Sequence, residues 1–494
     1  MPLTPRRPRS RRLRAVLLAA AAASVVAAAL PAPVPLGIGD PLFPNLGNPG
    51  YDVLSYDIGF TYLGDNSKPM EAVTTIDAMA TDNLDRINLD FARGTVHAVE
   101  VNGRPAEFAT ADEDLVVTPQ IPVHAGEPVR ITVRHTSDPK AALDGGWVRT
   151  TDGLVMANQA DAAHRVFPCN DHPSDKAFFT FHVSAPADVT VVANGLPAAR
   201  ERDGGRVVST YRSRHPMATE LAQVSIGHSA VVHREGPHGL PIRDVVPAAD
   251  KALLEPWLKR TPGHIAWMER QVGRYPFETY GVLIASADTG FELETQTLTL
   301  FERSLFVRPE FTDWYVDSVM VHELAHHWFG DSVSPRGWAD LWLNEGHATW
   351  YEAKYADEVG KKRSMEQRMK AAYALSDGWR AAGGPPAAPR ASAPGQKIGI
   401  FRPIVYDGSA LVLYALREEI GPRAFDRLER RWVREHRDST ATTADFSALA
   451  SRIAGRDLSG FFKAWLYGEK TPPMPGHPDW HTQKPNTQNP KKHA

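Results

Sequence analysis

The chain has 494 residues, 43% of them hydrophobic and 23% charged, with a formal net charge of −3. That content supports a large core and excludes a disordered polymer, and the length suggests two or three domains. The near-neutral balance, with its one dense basic run at the N-terminus, excludes a nucleic-acid partner.

That run holds Arg6, Arg7, Arg9, Arg11, Arg12 and Arg14, ahead of an alanine-dominated apolar segment over residues 15–30 and then Pro31, Pro33 and Pro35. A charged start, a short apolar stretch and small residues at Ala27 and Ala29 describe a secretory signal over residues 1–29, hence a secreted or extracytoplasmic protein. The stretch is shorter than the roughly 20 residues of a spanning helix, so no stable membrane association is expected once it is removed. Ser10-Arg11-Arg12 hints at twin-arginine export. Residues 30–50 read as a linker.

Residues 51–246 show short runs of alternating apolar residues broken by Gly, Asp, Asn and Pro, the pattern of a β-rich domain. Cys169 is the sole cysteine, which excludes an intramolecular disulfide. With no basic residue directly beside it, it is expected to be a small buried hydrophobe. From residue 247 to 470 the periodicity turns helical, with helices predicted over 251–260, 262–272, 314–328, 344–359, 409–420, 422–436 and 446–453. Residues 378–401, rich in Gly, Pro and Ala, read as a mobile surface loop. Residues 471–494 read as a disordered tail.

The chemistry lies in the second region. In Val321-His322-Glu323-Leu324-Ala325-His326, two histidines stand four residues apart. On a helix they share one face, so they can grip one metal ion while Glu323 reaches its water. Glu345 follows with eighteen residues between. Two histidines and a carboxylate leave a tetrahedral zinc one open position, as a catalytic site requires. One Zn2+ per chain is expected, with cobalt or manganese as possible substitutes.

His326-His327-Trp328-Phe329-Gly330-Asp331 followed by Trp342-Leu343-Asn344-Glu345-Gly346 resembles the signature of the zinc aminopeptidases of the aminopeptidase N type. That gluzincin family also includes the leukotriene epoxide hydrolase, and the resemblance covers residues 51–468. It implies a multidomain α+β fold: an N-terminal β-rich, saddle-like domain followed by a thermolysin-like, mainly α-helical catalytic domain. It further implies a short form without the large C-terminal helical domain of bigger relatives, and hence a more open cleft.

By the same resemblance, His322, His326 and Glu345 hold the metal and Glu323 is the general base. Tyr406, in Val405-Tyr406-Asp407-Gly408-Ser409-Ala410, matches the donor to the oxyanion. Glu294 matches the partner of the substrate's α-ammonium group, and Gln159 a residue that helps to bind it. Around Glu294 the chain reads Phe291-Glu292-Leu293-Glu294-Thr295 where the family has Gly-Ala-Met-Glu-Asn. Only Glu294 matches, which leaves the shape of the first specificity pocket open. His327 is expected to point away from the ion and His347 to be a solvent or packing residue, while Asn344 is a candidate to orient a ligand. The expected substrates are peptides, cleaved at their N-terminal residues. An endopeptidase or an epoxide hydrolase on the same centre, or a non-catalytic binding protein on a peptidase scaffold, are the alternatives.

Overall fold

Along Tyr51–Thr61 and Met70–Ala80 nearly every second side chain is buried, as alternation of apolar residues on a pleated strand requires. These two strands form the middle of an eight-stranded sheet in a computed structural model that describes residues 32–139, 145–287, 289–391 and 399–483. The sheet runs in the order Leu196–Asp203, Arg206–Arg212, Phe178–Pro186, Tyr51–Thr61, Met70–Ala80, Pro128–Ser137, Val96–Val101, Arg104–Pro105. Its buried face joins one core cluster with a three-stranded sheet and with Cys169, which is fully buried. The signal segment expected over residues 1–29 lies outside the described residues. Among the described residues, no helix is long and apolar enough to cross a membrane.

The helices are α1 (Lys251–Leu258), α2 (Thr261–Val272), α3 (Arg303–Val307), α4 (Asp313–His326), α5 (Trp342–Tyr355), α6 (Met365–Gly383), α7 (Asp407–Ile420), α8 (Pro422–Glu435), α9 (Thr443–Ala454) and α10 (Ser459–Tyr467). α4 packs along α5, and α5 along α7. Both α4 and α5 are buried on most sides, so they run through the middle of the second core cluster. A four-stranded sheet (Ser229–Glu235, Pro241–Pro247, Val282–Ala285, Thr299–Glu302) flanks them. It spans residue 246, where the sequence reading places its domain boundary.

Three expectations are corrected. The segment over 378–401 is not all loop: α6 runs to Gly383, and beyond it Ala387 is buried with its N–H donating to the Leu466 carbonyl. Gly378 and the run Gly383-Gly384-Pro385-Pro386 lowered the helical signal at the end of α6, but its packed face sustains it; residues 392–398 lie outside the described residues. The expected disordered tail is ordered up to residue 483: Met474 and Trp480 are buried, and Trp480 stacks on Tyr414 and His477. Proline-rich sequence prevents helix there but does not prevent two large apolar side chains from docking. Residues 32–50 are not a free linker either, because the Asp40 carboxylate accepts from the Trp338 N–H at 2.9 Å and lies 3.3 Å from His172 Nε2.

Candidate active site

The four-residue spacing on α4 sets the His322 and His326 rings 4.9 Å apart, centre to centre. Glu345, in the first turn of α5, reaches between them: its Oε2 lies 3.4 Å from Nε2 of each histidine. This oxygen is buried without a hydrogen-bond donor, and the three ligand atoms lie within 4.8 Å of one another. A carboxylate oxygen so placed has no neutral partner to satisfy it, so the three residues fit a divalent cation with N2O ligation. Burial works against charge at all three groups. Even so, the histidines hold Glu345 down at about 2, and Glu294 with Glu345 carries His326 up to about 9.

Two glycines permit this geometry. A Cβ on Gly346 would sit 2.7 Å from the Ser409 Cβ, so its absence lets α5 and α7 approach closely. That approach delivers Tyr406, the residue preceding α7, to the metal side, with its ring 6.0 Å from that of His322. Gly330, at φ +140°, closes the turn after α4, where a Cβ would meet the Asn344 amide nitrogen at 3.2 Å and His326 Nδ1 at 3.4 Å. Burial, and next the charge of Glu345, push the Tyr406 phenol well above its ordinary pKa. Tyr406 therefore stays protonated and able to donate.

The outer ring nitrogens are held as metal-ligating histidines require. His326 Nδ1 faces the Phe329 carbonyl at 3.2 Å, and His322 Nδ1 faces Glu352 Oε2 at 3.3 Å. Glu352 receives a forked pair from Arg368 Nη1 and Nη2 at 2.7 and 3.2 Å. The same guanidinium donates from Nε to Asp407 at 2.8 Å. One arginine of α6 thus ties the partner of a metal-site histidine on α5 to the first residue of α7, next to Tyr406.

The N-terminal domain completes the wall. Gln159 Nε2 donates to Glu294 Oε1 at 2.7 Å, and that oxygen lies 3.9 Å from His326 Nδ1. Asn194 donates to the Gln296 carbonyl, and the Thr297 hydroxyl accepts from the Gly195 N–H. The segment carrying Glu294 is thereby fixed by the domain that also supplies Gln159. Glu323 closes the floor: burial pushes its carboxyl up to about 8, assisted by Glu294. Gln159, Glu294 and Glu323 face, with the metal-site residues and Tyr406, one cavity of about 610 Å3, which also takes in Glu292, Phe291, Tyr315 and Arg402.

Comparison with known proteins agrees with this geometry. The family described as "Peptidase M1 N-terminal domain" matches residues 54–221, and "Peptidase family M1 domain" matches residues 258–465. The chain belongs to peptidase family M1. Among curated relatives, the aminopeptidase N of Streptomyces lividans is 26% identical over 437 residues, covering 83% of this chain and 50% of that protein. The leucyl aminopeptidase of Saccharolobus solfataricus is 26% identical, covering 66% of this chain and 42% of that protein. The chain thus spans half or less of the length of these relatives. An M1 zinc metallopeptidase from Deinococcus radiodurans superposes with a TM-score of 0.74 at 28% identity, covering 89% of this chain and 98% of that one. A mutant from that organism bound to a Tyr-Ser-Ala substrate gives 0.75 at 27%, covering 90% of this chain and 100% of that one.

In this chain of family M1, the structure brings His322, Glu323, His326, Glu345, Tyr406, Glu294 and Gln159 to one cavity. His327 points away, buried between the Tyr275 hydroxyl and the Thr299 hydroxyl at 2.7 and 3.0 Å. His347 is packed, stacked on Phe329 at 4.3 Å. Asn344 sits against Gly330 rather than on a ligand nitrogen. Sequence reading missed Glu352 and Arg368. Glu352 stands seven residues after Glu345, two turns along the same face of α5, a signal that could have found it. Arg368 lies on the helix that sequence reading missed.

Proposed function

We propose that this chain is a zinc aminopeptidase that releases the first residue of peptides with a free N-terminus. The observation that carries this reading is the 3.9 Å between Glu294 Oε1 and His326 Nδ1. A substrate ammonium group held by Glu294 and Gln159 stands beside the metal ligands, so only the first peptide bond falls at the reacting position.

His322, His326 and Glu345 would hold a zinc ion, which would supply Lewis acidity at this end of the cavity. Glu323, buried and facing the same cavity, takes a proton from the attacking water and returns it to the leaving amine. Tyr406 donates a hydrogen bond to the oxygen that becomes negative. Gln159 and Glu294 fix the amine end, which sets the register of the peptide.

Export is part of the proposal and rests on the basic, then alanine-rich, N-terminal residues. N-terminal sequencing of the extracellular protein tests it, with a start near residue 30 expected. The activity is tested with matched free and N-acetylated peptides, with and without a chelator. Cleavage of free peptides alone, abolished by the chelator and restored by zinc, is the expected result. Equal cleavage of acetylated peptides overturns the aminopeptidase reading.

A further inference from the structure

Glu292 stands where the resemblance calls for alanine, on the segment that carries Glu294. Leu293, between them, turns into the core cluster around Leu298 and Val245, so Glu292 and Glu294 both project into the active-site cavity. The two carboxylates are neighbours on one wall.

Every other carboxylate lining that cavity is already engaged. Glu294 accepts from Gln159, Glu345 faces the two histidines, Glu352 and Asp407 share Arg368, and Glu323 is reserved for proton transfer. Among the described residues, Glu292 has no ion pair and no hydrogen bond to another side chain; Arg402, the remaining arginine of the wall, does not reach it. Burial, and next the charge of Glu302, push the Glu292 carboxyl up to about 7. His322 acts in the lowering direction, but among the described residues no cationic side chain pairs with Glu292, and a substrate cation would relieve it.

We propose that Glu292 selects a cationic side chain, lysine or arginine, on the first residue of the substrate. The inference rests on Glu294 as the amine anchor, because a residue whose ammonium sits on Glu294 carries its side chain within the same cavity. Phe291, Tyr315 and Val319 line that cavity too, and they offer apolar contact to the methylene stem while its charged head meets Glu292. Glu292 touches the substrate's side chain and takes no part in bond cleavage.

Two measurements on the zinc-loaded protein test this. In the first, binding of L-lysinamide and L-norleucinamide is compared by calorimetry in a Glu323→Gln background, which keeps their amide bonds intact, since the two differ chiefly in the terminal ammonium. The expected result is roughly 10–100-fold tighter binding of lysinamide, reduced to near equality in Glu292→Gln. In the second, kcat/KM for lysyl and arginyl against leucyl and methionyl p-nitroanilides is expected to show the same preference and the same loss of that ratio in Glu292→Gln. Equal or tighter binding of norleucinamide with Glu292 in place overturns the proposal, as does a Glu292→Gln variant that weakens both amides alike. If lysinamide wins and Glu292→Gln removes its advantage while no peptide is cleaved, the selectivity stands and the aminopeptidase reading fails.

Discussion

Tyr406 is the residue whose chemistry depends most on its surroundings. In sequence it is a tyrosine ahead of a helix; in the fold it is desolvated, raised well above its ordinary pKa and set beside Glu345. Replacing it with phenylalanine removes one donor and almost no volume. Tyr406→Phe is therefore expected to lower kcat by about 10²–10³ while metal analysis still finds one zinc per chain. Full activity in that variant removes Tyr406 from the mechanism. Glu323 and Glu345 illustrate the same dependence, because two buried glutamates of one site are driven in opposite directions, to about 8 and about 2. The difference arises from position: Glu345 faces two imidazoles directly, whereas Glu323 has Glu294 and Glu292 among its neighbours.

Between elements, Arg368 joins three helices through Glu352 and Asp407. Arg368→Leu leaves Glu352 and Asp407 facing each other without a cation and frees the partner of His322. Zinc affinity, read by competition with a chelator, is expected to fall by about 10–100-fold. Lysine at this position is expected to restore little, since it cannot reproduce the fork. Unchanged affinity and kcat in Arg368→Leu would reduce the tie to a surface ion pair. The segment after α10 makes a second link: Trp480 covers Tyr414 on α7 and Tyr373 on α6. Trp480→Ala is expected to cost about 3 kcal/mol in denaturant unfolding. A loss below 0.5 kcal/mol would show that the segment contributes little to the fold.

At the scale of the whole molecule, a buried ionic network in the N-terminal domain makes stability depend on pH. His164 is fully buried with Nδ1 2.6 Å from Asp171 Oδ2, and the Thr219 hydroxyl donates to the other Asp171 oxygen. Burial opposes the charge, but Asp171 and Glu113 hold the imidazolium up at about 9. An unfolded histidine titrates near 6.5. The folded state therefore binds more protons above pH 6.5, and stability that is complete below that value declines as pH rises toward 9. Lys176, buried and lowered to about 8, acts in the opposite sense above pH 8, so the decline is read between pH 6.5 and 8. Asp90, raised to about 8 chiefly by burial, adds to the decline. Melting temperatures across that window are expected to fall, and to fall less steeply in His164→Gln. An equal slope in both proteins would discard the assignment.

The sequence by itself determined the reaction centre and the class of each half of the chain. Metal ligation by His322 and His326 follows from helical period alone, and alternation against 3.6-residue repeats separates a β-rich first region from a helical second one. Glu294, Gln159 and Tyr406 were legible only through resemblance, because nothing local distinguishes them from other polar loop residues. Tertiary structure decided what depends on distant segments meeting: the Gln159–Glu294 contact across 135 positions, the Arg368 tie, and the burial that sets each pKa. It also decided that residues 378–383 and 471–483 are ordered, since local propensity scores a segment alone while burial of Trp480 and Ala387 depends on partners far along the chain. The run Phe291-Glu292-Leu293-Glu294-Thr295 shows the division most clearly. Its departure from the family was visible as letters, but that Glu292 faces the cavity with no side-chain partner among the described residues follows only from the packed fold.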